Sequence, residues 1–533
     1  MTDKIAPHVA MVVANDTAND TRVLKEADAL ARAGVRVTLF GVAAQGPATV
    51  ERLDNGVLRV LVEGRFVLRD ERARIRRRRR SRLVSGEPMA VLAARSARIK
   101  ALLGDLKAES GHAVRLRRAG QVGTMTFKAG VARRLLAQQR LRLAQLSVRT
   151  QTKLARQQAR WAKRAWGKWD TRIARDCRRV SWRAEIPETY DYEAMLGPVL
   201  DRIEPAAIHA HDMHIIGVAA RAAGRAVLRG REVKTVYDAH EYVPGLSQYG
   251  GRTPRFIAAW ADHELEYIRH MDRVITVSPA IAQTLRKRYG LPMEPAVVMN
   301  SPRLAGDSRT AADVIGIRER IGLPDETPLM VYSGGITRAR GVETAIEALP
   351  ELPDVHLAVV CVPTVAMRSV EALRKLAAKI GVEDRVHYLE PVAPADVVPF
   401  LRTADIGLIP ILRFPSHEMA LPNKVFEYVF AGLPVVTSDM PSLHDFVGRT
   451  GIGEVFEVED PYDLAVAVRQ VLATPAAYRE AVSQPELLRE VSWESQSDRL
   501  RALYADLLGM DLDPSVDAED DQWEKEIRAA LGV

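Results

Sequence analysis

The chain has 533 residues, too many for one core, so two or three domains are expected. Its 47% hydrophobic content is that of a soluble globular protein, and its two cysteines, Cys177 and Cys361, exclude a disulfide framework and a thiolate metal site. The net charge of +8 averages two opposed parts: residues 66–185 hold 33 Lys and Arg against 8 Asp and Glu, and the remainder holds 43 against 60.

No apolar run is long enough to span a bilayer, and Met1-Thr-Asp-Lys4 is not followed by a signal-peptide core, so a cytoplasmic location is expected. His8–Val13 and Arg36–Phe40 are short apolar runs, and Val23, Ala27, Leu30 and Ala31 mark one face of a helix between them. This is a βαβ unit, with Leu58–Val62 as a third strand. The loop Asn15–Arg22 lies at the carboxyl end of the first strand, where parallel sheets bind ligands. Asp20 and Arg22 could contact a substrate there, and Asp20 could equally be a helix N-cap.

The alternation stops at Phe66. Arg76–Arg80 is a run of five arginines, and basic residues recur to Arg183. Val131, Leu135, Leu136, Leu143, Leu146 and Leu154 recur at roughly helical spacing, and Trp161, Trp166, Trp169 and Trp182 are four of the seven tryptophans. Basic and apolar faces on one helix fit an anionic membrane surface. A hairpin packed on its own domain with a solvated basic face is the plainer reading, and nucleic acid is the least favoured.

The α/β pattern resumes after Pro187. Strands at Ala206–His211, Lys234–Glu241, Arg273–Ser278 and Ala296–Met299 are expected, with a helix over Pro279–Tyr289. Three of them deliver polar residues at their carboxyl ends. His240, after Asp238, is a candidate for contact with a reacting group, a hydrogen-bonded structural role being the alternative, and Glu241 is an acceptor-side candidate. A metal set from His209, His211, Asp212 and His214 is disfavoured, because His209 and His211 alternate along a strand and no compact second ligand set follows.

Leu304–Asp313 reads as an interdomain linker. A second parallel sheet follows, with strands at Leu329–Ser333, Val355–Val360, Val386–Leu389, Asp405–Pro410 and Val435–Thr437, then Gly451–Pro461 as strand and turn before a helix over Asp463–Leu472. Gly334 and Gly335 end the first of these strands and let backbone approach a ligand. Arg338 and Arg340 follow, with Arg340 at a helix N-terminus suited to phosphate. In Leu421–Asp439, Pro422 suits a first helical turn. Asn423 and Glu427, four apart, share one helix face. A carboxylate there can accept hydrogen bonds from a ribose diol, and Lys424 adds positive potential. There is no Walker-type phosphate loop, and Gly451-Ile-Gly453 lacks the third glycine of a dinucleotide fingerprint. The tail from Asp511 is acidic, is expected to be partly mobile, and carries Asp511-Leu-Asp513 as surface.

In combination these segments resemble the GT-B-fold retaining glycosyltransferases of the large family 4. The resemblance is carried by Asn423-Lys-Val-Phe-Glu-Tyr428 with Ala431-Gly-Leu-Pro-Val-Val436, by Asp238-Ala-His-Glu241, by Val277-Ser-Pro279, by Ser333-Gly-Gly335 with Arg340-Gly341, and by Gly451-Ile-Gly453. It covers residues 5–62 and 190–505. It implies two Rossmann-like α/β domains facing a cleft, a nucleotide-diphosphate sugar as co-substrate, no metal or other cofactor, and front-face attack without a protein nucleophile. Glu427 would bind the ribose, Arg340 and Lys424 would neutralise the leaving diphosphate, His240 would lie near the transferred sugar, and the Asp20/Arg22 loop near the acceptor. Two positions depart from the family pattern. Gly335 stands where many relatives have Arg, and Met419 where many have a second Glu, Glu418 being one residue off.

The expected organisation is therefore residues 1–65 and 186–304 as the first Rossmann-like domain, interrupted by a basic helical insertion at 66–185. Residues 314–484 form the nucleotide-sugar domain, 485–510 a C-terminal helix and 511–533 an acidic tail. The expected acceptor is a lipid-linked or cell-envelope glycan, met at the cytoplasmic face of an anionic membrane through the insertion. A sugar-nucleotide epimerase and a non-catalytic anchoring protein on the same scaffold are the rival expectations.

Overall fold

The computed structural model describes residues 6–18, 20–81, 89–174, 181–248, 252–304, 314–514 and 521–532. Cys177 and most of the expected linker lie outside them. The chain divides into two compact units, residues 1–68 with 180–533, and residues 69–179.

The first unit holds two sheets. Strands β1 (His8–Val12), β2 (Arg36–Ala43), β3 (Thr49–Arg52), β4 (Leu58–Glu63), β5 (Ala207–His211), β6 (Lys234–Ala239), β7 (Arg273–Thr276) and β8 (Ala296–Val297) form the first, in the order β3-β4-β2-β1-β5-β6-β7-β8. All neighbours are parallel except β3 and β4. The second holds β9 (Leu329–Gly335), β10 (His356–Val362), β11 (Val386–Leu389), β12 (Ile406–Ile409), β13 (Val435–Ser438) and β14 (Gly453–Phe456), all parallel, in the order β11-β10-β9-β12-β13-β14. Strand order reverses between β1 and β5 and between β9 and β12. Those reversals open crevices at the strand carboxyl ends, where open α/β sheets take ligands.

Apolar runs on buried parallel strands explain both sheets, since each is covered on two faces. Val9, Met11 and Leu39 pack with Val23, Ala27 and Leu30 of helix α1 (Thr21–Ala31) on one face of the first sheet, and Ala10, Val12, Phe40 and Val60 pack on the other. Asp20 caps α1, its side chain accepting from Val23 N. The helix Pro279–Tyr289 matches the expected span, with Ser278 capping it and Gly290 left-handed after it.

Two boundaries move. Trp182, expected within the insertion, is fully buried in the first unit, donating from Nε1 to Glu266 at 2.7 Å. The tail is not simply a loose acidic end: Asp521–Leu531 is a helix whose Trp523, Ile527 and Ala530 are buried on the first sheet. Their i, i+4, i+7 spacing was masked by the acids around them. Arg52 pairs with Glu524 at 3.1 Å. The helix Trp493–Leu508 also packs on the first sheet, through Leu500, Tyr504 and Leu507. The end of the chain therefore completes the core of its beginning.

The second unit contains α3 (Met89–Arg118) and α4 (Thr124–Ala174), packed along one another, with most of α2 (Val67–Ser81) before them. Of the run Arg76–Arg80, only the side chain of Arg76 is described.

Candidate active site

The second sheet's crevice is shaped by close backbone approaches. Next to last in β9 is Gly334, whose φ is +142° and where a Cβ would meet Lys424 Nζ at 3.2 Å. Lys424 comes from the first turn of the helix Asn423–Phe430, with Pro422 in the capping position just before it. Its ammonium sits 3.8 Å from the centroid of the Tyr332 ring, and the residue is only 8% exposed. Gly341, with φ of +65°, abuts the end of β12 so tightly that a Cβ would lie 1.8 Å from Pro410 O. That contact seats the preceding turn, Arg338–Arg340, against the crevice.

Burial, with the Arg340 guanidinium nearby, drives the Lys424 pKa well below the ordinary lysine value. Neither Lys424 nor Arg340 has an ion-pair partner among the described residues. Glu427, one turn on from Asn423, is pushed upward by burial, with Lys424 and Lys25 acting against it. Glu427 and Asn423 line a cavity of about 930 Å³ whose other walls include Val362, Pro391 and Val392. Thr21, Lys25 and Arg303 of the first lobe close it from the opposite side.

The first sheet's crevice is a buried charge network. Arg22 donates from Nε and Nη2 to both oxygens of Asp238 at 2.7 Å, and from Nη1 to Val298 O at 2.6 Å. Glu26 lies 3.0 Å from the same guanidinium, and burial raises its carboxyl to about 8. His240 Nε2 is 3.0 Å from Asp238 Oδ2. Burial alone would depress His240, but the Asp238 charge and hydrogen bond raise it to about 9, so it is an imidazolium at neutral pH. Glu241 follows, its carboxyl raised by desolvation and by Asp212 and lowered in part by Arg252 and Arg340. Arg340 is thus within electrostatic reach of both Lys424 and the first lobe's Glu241.

Glu26, His209, His211 and Asp238 bring four possible ligand atoms within 4.8 Å of one another. His209 and His211 stack at 4.1 Å, and Tyr504 from the C-terminal helix lies 3.0 Å from His209 Nδ1. The Arg22 guanidinium already places a positive charge among the two carboxylates of this set.

Several expected site residues fall elsewhere. Arg22 does not meet a substrate: it is 4% exposed and its donors are taken by Asp238, Val298 and Glu26. Asp20 is the N-cap alternative, also accepting from Asn15 Nδ2 at 2.8 Å. Glu418 does not stand with the cations. Arg413 takes its carboxylate at 3.1 Å, and the neighbouring Met419 turns its sulfur to Thr284 at 3.3 Å. Arg338 is exposed and acts on Glu343, leaving Arg340 as the member of the pair that joins Lys424. Gly335 ends β9, its carbonyl accepting from Tyr332 Oη at 2.8 Å.

Two residues were missed. Lys25 donates to Ser301 O at 2.7 Å and lies over Trp493, and burial brings its pKa to about 7. His417 donates from Nδ1 to Leu412 O at 2.7 Å and is lowered by burial, with Arg340 and Lys424 adding to the effect. Helical phase could have flagged Lys25, which lies one residue from the buried Glu26, but its cavity partners come from distant segments.

The second lobe matches the model for glycosyl transferases group 1 over residues 327–474, and residues 136–301 match that for glycosyltransferase family 4. The solved sucrose-phosphate synthase of Thermosynechococcus elongatus superposes with a TM-score of 0.57 at 14% identity, over 95% of this chain and all of that one. The fold is GT-B. A UDP-forming trehalose-phosphate synthase of Burkholderia vietnamiensis gives a TM-score of 0.53 at 13% identity, covering 95% of this chain and 100% of its own. In sequence, a D-inositol 3-phosphate glycosyltransferase of Geodermatophilus obscurus is 28% identical over 253 residues, 45% of this chain and 54% of that protein. An uncharacterized glycosyltransferase of Methanocaldococcus jannaschii is 25% identical over 244 residues, 44% and 60% of the two chains. The chain spans little more than half the length of the curated relatives it matches. No described helix is long and apolar enough to cross a membrane.

Proposed function

We propose that the protein is a metal-independent, retaining glycosyltransferase that moves a sugar from a nucleotide-diphosphate sugar to an acceptor hydroxyl. One observation carries the reading: Lys424, buried beside a glycine-lined strand end, has Arg340 within electrostatic reach, and neither makes an ion pair within 4 Å among the described residues, Glu427 acting on Lys424 only at longer range. A diphosphate supplies a close counter-charge. Glu427 takes the ribose hydroxyls, and the base enters the cavity toward Val362 and Pro391.

In the transfer, the bond from the sugar's anomeric carbon to the β-phosphate oxygen breaks and its electron pair goes to the phosphate. Charge grows on that oxygen, so Lys424 and Arg340 stabilise the transition state more than the bound donor. The acceptor oxygen bonds to the anomeric carbon from the face the phosphate leaves, and its proton passes to that phosphate. His240, as an imidazolium held by Asp238, donates a hydrogen bond at the transferred sugar. The cations do the neutralising for which other transferases use a metal.

The acceptor we favour is a lipid-linked or cell-envelope glycan at the cytoplasmic membrane face. The basic second unit supports this, and nucleic acid is not the partner. A phosphorylated small polyol is the second reading, supported by the similarity to the D-inositol 3-phosphate glycosyltransferase of G. obscurus. The test is turnover and donor affinity in Glu427→Ala and Arg340→Ala. Each is expected to lose at least about tenfold in kcat/KM, 1.4 kcal/mol or so of barrier, with an unchanged Tm. Parent-like rates in both would overturn the assignment. Nucleotide release without acceptor would favour an epimerase, and no binding of any nucleoside diphosphate a non-catalytic scaffold.

A further inference from the structure

Helix α4 carries a line of large apolar side chains on the side away from α3. Val148 and Leu92 are buried and line the α3–α4 groove. Met125, Leu136, Leu143, Leu154 and Trp161 are instead exposed, Met125 by 82% and Trp161 by 73%. Their steps of 11, 7, 11 and 7 residues sum to a repeat of 18 residues per five turns. At 100° per residue they fall within about 20° of one another, as a straight ridge about 54 Å long.

Charge is arranged around this ridge. Arg142, Arg149, Lys153 and Arg160 run along one flank, about a quarter-turn away, the last three also bordering the α3–α4 groove, and Arg133 and Arg140 run along the other; all are exposed. Asp170 is the only acidic residue in the helix's 51 positions.

The period argues against a second copy of the chain as the occupant. A coiled-coil seam repeats every 3.5 residues and drifts about 20° per heptad on a straight helix, whereas this ridge does not drift. Between ridge positions the same face offers Ala129, Ala132, Gln139, Thr150 and Gln157, too small or polar for regular knobs, while the other exposed apolar side chains, Leu135, Leu146 and Trp169, lie about 70–90° to either side of the ridge. Nucleic acid would use the arginines but has no use for exposed Met, Leu and Trp in a line. A flat apolar medium bordered by negative charge uses both.

We propose that the outward face of α4 docks on an anionic lipid bilayer. Met125, Leu136, Leu143, Leu154 and Trp161 enter the acyl boundary, and the flanking arginines and lysine meet headgroup phosphates. This deepens the membrane-side reading above, and donor binding is measured separately so that the two fail independently.

The experiment uses the full chain with vesicles of phosphatidylglycerol in phosphatidylcholine, and of phosphatidylcholine alone. The parent is expected to co-sediment with the anionic vesicles. Leu136→Ser, Leu143→Ser, Leu154→Ser and Trp161→Ser combined should weaken binding at least about tenfold, with helix content and the Tm shift given by nucleoside diphosphate unchanged. Arg142→Gln, Arg149→Gln, Lys153→Gln and Arg160→Gln combined should remove the preference for anionic lipid. Brominated acyl chains should quench parent fluorescence, with the quenched component lost in Trp161→Phe; this arm does not depend on the multiple variants folding. The proposal is overturned by parent-like vesicle binding in the serine variant, by equal parent binding to both vesicle types, by self-association that the serine variant abolishes, or by tighter parent binding to duplex DNA at the same ionic strength.

Discussion

His240→Gln isolates the charge held at the centre of the cleft. In the folded chain the imidazole is raised from 6.5 to about 9, burial opposing and Asp238 more than compensating. That gap corresponds to about 3 kcal/mol at 1.36 kcal/mol per pH unit. Because the folded value lies above the unfolded one, the stabilisation is fully present below pH 6.5 and is lost as pH rises through about 9. Urea unfolding of parent and variant across this range should give a difference in stability that shrinks by about 3 kcal/mol from acid to alkaline. Any constant remainder reports packing. Turnover of the parent should fall along an alkaline limb near pH 9 that the variant lacks. Parallel stability curves for the two proteins would refute the claim that Asp238 holds His240 as a cation, and with it the hydrogen-bond role assigned at the transferred sugar.

Other perturbations test the surrounding structure. Arg22→Met leaves Asp238 buried without its bidentate partner, so a loss of about 3–5 kcal/mol in unfolding free energy is expected; a loss below about 1 kcal/mol would mean that the network is not what holds α1 to the sheet. Gly341→Ala forces a Cβ onto Pro410 O at a left-handed φ. A drop of at least about 2 kcal/mol, with weaker nucleotide binding as Arg340 is displaced, should appear in thermal-shift titrations, and a neutral result would contradict the geometry. Lys25, near 7, should become charged beside a diphosphate. Calorimetry at about pH 8 in buffers of different ionisation enthalpy should then show net uptake of up to about one proton on nucleotide binding, reduced in Lys25→Met; none would remove the diphosphate from this site.

Local pattern made the sheets legible, because buried parallel strands are apolar runs with few competitors. Val386–Leu389 and Pro279–Tyr289 match the expected spans. The edge strand β3 was not visible, since Thr49-Val-Glu-Arg52 pairs on one side only and alternates with charge. The second-lobe site was legible because Lys424 and Glu427 are set by one helix and Gly334 by one strand end. The first-lobe site was not. Arg22 sits in a loop-to-helix start that looks like a ligand loop, and its partner Asp238 is 216 residues away. Nor does spacing reveal that Met419 turns to Thr284, 135 residues earlier, and so leaves Glu418 to Arg413. Sequence shows which end of a strand a residue occupies, whereas long-range pairing decides whether it is spent on the fold.

That division explains how the two lobes differ chemically. In the first, the buried cations Arg22 and His240 are both held by Asp238, with Glu26 3.0 Å from the Arg22 guanidinium. Such a network fixes geometry but has little field left to give, which suits the side that orients an acceptor and one imidazolium. In the second, Lys424 is buried against Tyr332 with Arg340 in electrostatic reach, and burial outweighs the opposite charge of Glu427, an arrangement that lowers the stability of the empty lobe. An unmatched cation in a dry site responds most strongly to negative charge that arrives or grows. On the proposed reading, paired charge on one side of the cleft and a buried lysine without an ion-pair partner on the other suit group transfer away from a phosphate.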